Sequence, residues 1–215
     1  DNTFEQDFAE YLKAFDDVLK QLLGIEREKT DQKFLNMDGI VAELRKKGIL
    51  FQVASAWAQI DLAPYDNSAI TTLEEHIKRR WADISASTAG EQYTPEDIIE
   101  LIARIVALKV NKPKDKLLHG YDPTCGGANL LFGVSDRLQK DGYKYIKTYG
   151  SELNDSLYAL SSIESRFRPM STIKYGNTLT MVPFADMEEG FDFIVANPPY
   201  GTKWKGYEKE VKADK

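Results

Sequence analysis

The chain carries the stretch Phe191-Asp192-Phe193-Ile194-Val195-Ala196-Asn197-Pro198-Pro199-Tyr200-Gly201. Its first six residues read as a buried strand, because apolar and β-branched residues dominate as a strand covered on both faces requires. A stiff polar loop follows. Asn197 precedes a proline and is pushed towards extended backbone. Pro198 and Pro199 fix φ and donate no backbone hydrogen bond. The loop therefore offers two acceptors, the Asn197 side-chain oxygen and the Pro198 carbonyl, beside the ring of Tyr200. Such a pair suits an exocyclic amine like that of adenine, whose lone pair is delocalised into the ring. Accepting both N–H groups draws the nitrogen towards a tetrahedral shape and frees the lone pair, stabilising charge where it develops. Tyr200 can stack on a base taken out of a duplex. The plainer reading is a strand and a proline turn.

Other stretches have ligand-binding character. Asp122-Pro123-Thr124-Cys125-Gly126-Gly127-Ala128-Asn129 lies between an expected strand at 117–121 and an expected helix at 130–139. Strand, glycine turn and helix make the nucleotide-binding corner of a doubly wound sheet, and adjacent glycines let the backbone approach a ligand closely. The pattern falls short of the full Gly-x-Gly-x-x-Gly fingerprint. Glu152 ends a second expected strand, 145–150, where an acid is placed to bind ribose hydroxyls. Asn177 follows a third, 172–175, where its amide can bond a purine edge. Gln92-Tyr93-Thr94-Pro95-Glu96-Asp97 reads as a helix start, with Thr94 at the N-cap and Pro95 at the first helical position. Alternatively, that loop presents Tyr93 and Thr94 to an anionic or polar ligand group. Cys125 has no histidine or lysine nearby to activate it, so it reads as a small buried thiol.

The elements that must position these residues follow from periodicity. Residues 4–23 carry an apolar stripe at helical spacing that stops at Gly24. Residues 25–36 lack a period and read as a loop. A short helix follows with Ile40, Val41 and Leu44 inward. Leu50 to Leu62 reads as a third helix anchored in the core by Trp57, and Thr72 with Glu75 has the spacing of a capping box before Leu73, Ile77, Trp81 and Ile84. The small polar run at 85–91 marks a boundary. We therefore expect a helical domain at 1–88 and an α/β domain at 89–215. In the latter, Ile98, Leu101, Ile102 and Ile105 line one helix face, and Leu153 to Arg166 forms a further helix. The fourth strand is the one that leads into Asn197. Residues 122–128, 152, 177 and 197–200 all fall at C-terminal ends of successive strands, the edge where open α/β sheets bind ligands.

Bulk properties narrow the class. Hydrophobic residues make up 42% and charged residues 29% of the 215, as in a globular protein with a real core. No apolar run approaches a membrane span, and no signal-peptide pattern opens the chain. One cysteine fits a reducing cytoplasm. That cysteine and two histidines, His76 and His119, give no metal-ligand cluster. The formal charge of −6 argues against a protein that grips DNA unaided. Local basic clusters stand at Arg45-Lys46-Lys47, Lys78-Arg79-Arg80 and Lys203 to Lys212; the last follows the Asn-Pro-Pro-Tyr loop.

Taken together, Gly90-Glu91-Gln92-Tyr93-Thr94-Pro95, Asp122-Pro123-Thr124-Cys125-Gly126, Tyr149-Gly150-Ser151-Glu152, Gly176-Asn177-Thr178-Leu179 and Ala196-Asn197-Pro198-Pro199-Tyr200-Gly201 resemble the modification (DNA methyltransferase) subunits of type I restriction-modification systems, in residues and in order. The resemblance covers residues 89 to 205. It implies a doubly wound, Rossmann-like S-adenosylmethionine-dependent methyltransferase sheet behind an all-helical N-terminal domain, and N6-methylation of adenine in DNA. It further implies that Glu91, Gln92, Tyr93, Thr94 and Pro95 hold the methionine end of the cofactor. Asp122, Thr124, Gly126, Gly127 and Ala128 would wrap it, Glu152 would take the ribose hydroxyls and Asn177 the adenine ring. Asn197, Pro198, Pro199 and Tyr200 would form the catalytic loop. The sulfonium is already an activated methyl donor, so transfer needs no metal. Implied partners are DNA, a specificity subunit that reads the sequence and a second modification subunit; a companion restriction subunit is left open.

Three departures carry expectations. The family turn usually reads Cys-Gly-Ser-Gly, so a Cβ at Ala128 is expected to tighten the turn or crowd the cofactor. The Thr-Pro pair is followed by Glu96 where arginine is frequent. The chain stops shortly after the catalytic loop, where the family continues with further strands, so an incomplete sheet with an exposed edge is expected. Two other functions suit the same residues. The acceptor loop would also activate a glutamine amide in a protein, and a degenerate subunit would keep the fold and only bind partners.

Overall fold

The computed structural model describes residues 2–25, 34–61, 63–64, 94–168, 170–181, 183–201 and 203–213. The chain divides into two compact units, Asp1–Ile70 and Thr71–Lys215. The expected boundary at 88/89 and the expected helix after Thr72 lie outside the described residues. Among the described residues, no helix is long and apolar enough to cross a membrane.

The first unit contains α1 (Asn2–Lys13), α2 (Asp17–Leu23), α3 (Met37–Lys46) and α4 (Leu50–Ala58). The single helix expected at 4–23 is thus two. Asp16 interrupts it by accepting the Leu19 N–H at 3.0 Å, an N-cap that competes with helix continuation. Gly24 closes α2 in the left-handed conformation. Leu22, Ile25, Val41 and Leu50 are buried, but Ile40 faces outward. Trp57, expected as a core anchor, is 62% exposed. It lies two turns beyond Leu50, past the small group of buried residues, in a helix that ends at Ala58 instead of Leu62.

The second unit contains α5 (Glu96–Lys109), β1 (Leu117–Asp122), α6 (Asn129–Lys140), β2 (Tyr145–Glu152), α7 (Asp155–Ser165), β3 (Ser171–Tyr175), β4 (Phe193–Ile194), a 3-10 turn at Lys205–Tyr207 and α8 (Glu208–Ala213). The strands form one parallel sheet in the order β3-β2-β1-β4, with Tyr121 registered against both Tyr149 and Ile194. Both the β1-α6-β2 and β2-α7-β3 crossovers step the same way, so right-handedness puts α6 and α7 on one face. The return from β3 to β4 reverses direction, and its loop places Phe184, Met187 and Phe191 against Tyr121 and Tyr149 on the opposite face. The β1–β4 junction is therefore the topological switch point, where such sheets bind ligands.

The main core joins Leu118, Ile146, Phe193 and Val195 of the sheet region to Leu131, Phe132, Val134 and Leu138 of α6 and to Ile99 and Ala103 of α5. The buried face of α5 differs from the expected one: Ile98, Leu101 and Ile105 are exposed, while Ile99, Ala103 and the partly buried Ile102 and Val106 face inward. The helix is apolar on two sides, and close packing selects between them. A Cβ on Gly133 of α6 would lie 2.6 Å from Ile99 Cγ2, so only glycine admits that approach. β4 also departs from expectation. Only Phe193 and Ile194 form the strand, and Ile194 is 61% exposed. β4 is an edge strand here, covered on one face by the core and uncovered on the other. Asp192 extends the junction: its carboxylate accepts the His119 N–H at 2.8 Å and the Lys112 ammonium at 2.9 Å.

Candidate active site at the switch point

A cleft of about 480 Å³, open solvent included, lies at the C-terminal ends of the central strands. It is lined by Thr94, Asp122, Thr124, Cys125, Gly126, Gly127 and Asn197, together with Asn129, Leu130 and Leu157. The fold thus gathers Thr94, two residues before α5, the end of β1, the glycine turn and Asn197, three residues past β4. Glu91, Gln92 and Tyr93 lie outside the described residues.

The end of β1 sets the electrostatics. Asp122 is 1% exposed. Burial pushes its carboxyl up to about 7; the Thr124 N–H, donating to it at 2.9 Å, opposes this and the charge of Glu152 adds to it. Glu152 itself accepts three backbone N–H groups, from Gly126 at 2.8 Å, Leu153 at 2.8 Å and Asn154 at 2.6 Å. It stands beside the cleft and clasps the glycine turn to the loop after β2. Cys125 is buried, and burial together with Asp122 and Glu152 raises its thiol well above the ordinary value, in keeping with an inert thiol.

The turn then feeds α6. Gly126 adopts φ +55° and a Cβ there would meet open space, whereas Ala128 adopts φ +66° as the helix's N-cap residue. Ala128 is fully buried in the core cluster and is absent from the cleft lining. The left-handed backbone turns its Cβ towards that core and not towards the cleft lining. The first residue of α6, Asn129, is 7% exposed, and its Nδ2 is buried with no hydrogen-bond partner among the described residues. Sequence reading passed over Asn129. Its signal was a polar residue at the head of the apolar run Ala128 to Phe132. Asn177 uses Oδ1 to accept the Leu179 N–H at 3.0 Å, which closes its turn, while its buried Nδ2 has no partner among the described residues.

On the other wall, Thr94 does not cap α5. The cap position is Pro95, with no side-chain bond to the helix, and the Thr94 hydroxyl instead accepts Asn197 Nδ2–H at 3.1 Å. Asn197, Pro198 and Pro199 are exposed, and Tyr200 is 89% exposed, so its ring is available to a stacking partner.

A family model for N-6 DNA methylases matches residues 66–215. The chain belongs to the N-6 DNA methylase family. It is 29% identical over 219 residues to the type I restriction enzyme MpnII methylase subunit of Mycoplasma pneumoniae, covering 91% of the chain and 39% of the relative. It is 30% identical over 146 residues to the type I restriction enzyme EcoEI methylase subunit of Escherichia coli, covering 60% and 28%. The chain thus spans well under half the length of these curated relatives. A type I restriction-modification system methyltransferase subunit from Streptococcus thermophilus superposes with a TM-score of 0.64 at 22% identity, over 95% of this chain and 43% of that one. A Listeria monocytogenes protein described as a class I S-adenosylmethionine-dependent methyltransferase gives 0.57 at 21%, over 74% and 48%. The α/β unit therefore has the S-adenosylmethionine-dependent methyltransferase fold.

Proposed function

We propose that the chain supplies the cofactor-binding and catalytic part of a type I modification subunit, which transfers a methyl group from S-adenosylmethionine to N6 of adenine in DNA. The observation that carries this reading is the placing of Asn197, with its two following prolines, on the same cleft as buried Asp122, across the switch point. The cleft suits the cofactor by its chemistry. Among the described residues, Asp122 is the acidic residue in its lining and complements a cationic ligand, and Asn129 holds an unpaired buried polar atom that a polar ligand would engage.

The cofactor supplies an activated methyl on a sulfonium. In this reading Thr94 and the glycine turn hold its methionine end, Asp122 its positive charge, Glu152 its ribose and Asn177 its purine edge. The Asn197 side-chain oxygen and the Pro198 carbonyl accept the target amine's two N–H groups and free its lone pair. Tyr200 stacks on the extruded base. The subunit works in the cytoplasm with a specificity subunit, a second modification subunit and DNA, which accords with a chain whose own charge is −6.

The test is methyl transfer from labelled S-adenosylmethionine by the complete subunit in its complex, with the DNA digested to nucleosides. Label in N6-methyladenine that disappears with Asn197→Ala is expected. Label confined to protein, or none with Asn197 intact, overturns the reading.

A further inference from the structure

We propose that the Thr94 hydroxyl is a relay that lets an occupied cofactor cleft fix which end of the Asn197 amide faces the target amine. The inference rests on the proposed function and deepens it, by assigning a positioning residue. Thr94 and Asn197 are 103 positions apart, line the same cleft and are joined at 3.1 Å.

An asparagine amide is nearly symmetric in shape but not in chemistry. One end is an acceptor and the other a double donor. Only the acceptor end can take an amine N–H. Around Asn197 the backbone offers little to choose between them, since Pro198 and Pro199 have no N–H. Among the described residues, the hydrogen bond that the Asn197 side chain makes is the one to Thr94.

A hydroxyl alone does not choose either, because it can accept from Nδ2 or donate to Oδ1. The choice appears once the hydroxyl proton is committed elsewhere. Thr94 does not use its side chain to cap α5, and among the described residues its hydroxyl proton has no acceptor. An acceptor group on a ligand in the shared cleft, such as a carboxylate, takes that proton. Thr94 then presents only lone pairs to Asn197. The flipped amide would set oxygen against oxygen, so Nδ2 stays on Thr94 and Oδ1 faces the target. Cofactor binding and capture of the amine thereby become coupled, in both directions.

The experiment compares DNA binding by the complete subunit in its complex, using duplexes with adenine or purine at the mapped target position. Purine lacks the 6-amino group, and the base-pair hydrogen bond it also loses is the same with and without cofactor product, so the change in the ratio of the two Kd values reads the amine contact. S-adenosylhomocysteine, which cannot transfer a methyl, is absent or saturating by its own measured Kd. In the wild type and in Thr94→Ser the ratio rises about tenfold with the cofactor product, the worth of one hydrogen bond. In Thr94→Val, which keeps the side chain's shape, the ratio no longer responds. Thr94→Ala repeats the deletion without the branched side chain. A ratio in both deletion variants that still responds as in the wild type overturns the relay, as does a wild-type ratio indifferent to S-adenosylhomocysteine. A wild-type complex that methylates no adenine overturns the proposed function itself, and the relay with it.

Discussion

The carboxylate of Glu152 accepts the backbone N–H of Gly126 at 2.8 Å, joining the end of β2 to the glycine turn after β1. Its other oxygen accepts Leu153 and Asn154. One side chain thus shapes two of the loops that border the cleft before any ligand enters. Glu152→Gln keeps one carbonyl acceptor and turns a donor towards a backbone N–H. Hydrogen bonds to charged groups contribute about 1.5–3 kcal/mol each. The variant is expected to lose roughly 2 kcal/mol in urea unfolding and to bind cofactor at least tenfold more weakly by calorimetry. Unchanged stability would mean that the clasp adds nothing to the fold.

Asp122 predicts a pH dependence. Its carboxyl is raised from 3.8 to about 7 in the folded chain. The folded state therefore binds more protons than the unfolded state between those values. Stability associated with this group is full below about pH 4 and is lost as pH rises through about 7, by roughly 4 kcal/mol. Asp122→Asn flattens that part of the stability curve. A cationic ligand favours the carboxylate, so affinity for S-adenosylmethionine is expected to rise from pH 6 to pH 8. Affinity for neutral-sulfur S-adenosylhomocysteine rises less. Calorimetry at both pH values checks it, and equal responses of the two ligands would remove Asp122 from the charge contact.

Asn129 carries a buried donor without an acceptor among the described residues. Such a group costs about 1–3 kcal/mol when left unpaired. Asn129→Ala is expected to leave the free protein as stable or more stable, while weakening cofactor binding about fivefold to tenfold. Melting curves with and without S-adenosylhomocysteine separate the two effects. A loss of stability without ligand and no loss of affinity would make Asn129 a packing residue.

The strand-turn-helix order was legible because strands, glycine turn and helix carry distinct local signals. The convergence of Asp122 and Asn197 was legible because strand ends share an edge. What stayed hidden depended on contacts. The pattern at 98–105 is apolar on two faces, and Gly133 decided which one packs. Phe193 to Val195 reads the same whether a strand is central or at an edge. The direction of the Ala128 Cβ stayed hidden because backbone twist, not residue type, decides where a Cβ points. Asn129 was overlooked because an unmet hydrogen bond is a property of surroundings.

Two opposing effects nearly cancel at Ala128. Its φ of +66° strains a residue with a Cβ, at about 1–2 kcal/mol, while its buried methyl contributes about 0.8 kcal/mol. Ala128→Gly nearly balances the two. Stability is expected to change by less than about 1 kcal/mol, and cofactor affinity by less than about twofold. A tenfold gain in affinity would mean that Ala128 crowds the ligand.

Gly120 of β1 sits directly against Phe193 of β4. A Cβ at Gly120 would lie 2.2 Å from Phe193 Cζ and 2.5 Å from Cε2, so the ring has to move. Phe193 is buried beside Val195, and Asn197 follows in the same segment. Gly120→Ala is therefore expected to cost about 1–3 kcal/mol by overpacking. It should also reduce methyl transfer more than cofactor binding, because β4 carries the acceptor loop and the glycine turn lies on β1's own continuation. Phe193→Leu, introduced with Gly120→Ala, shortens the obstructing side chain. If the clash is the cause, the double variant is more stable than the two single effects added together, a coupling that urea unfolding of all four proteins measures. Simple additivity would mean that the β1–β4 junction tolerates the methyl by other means and that Gly120 does not govern where Asn197 stands.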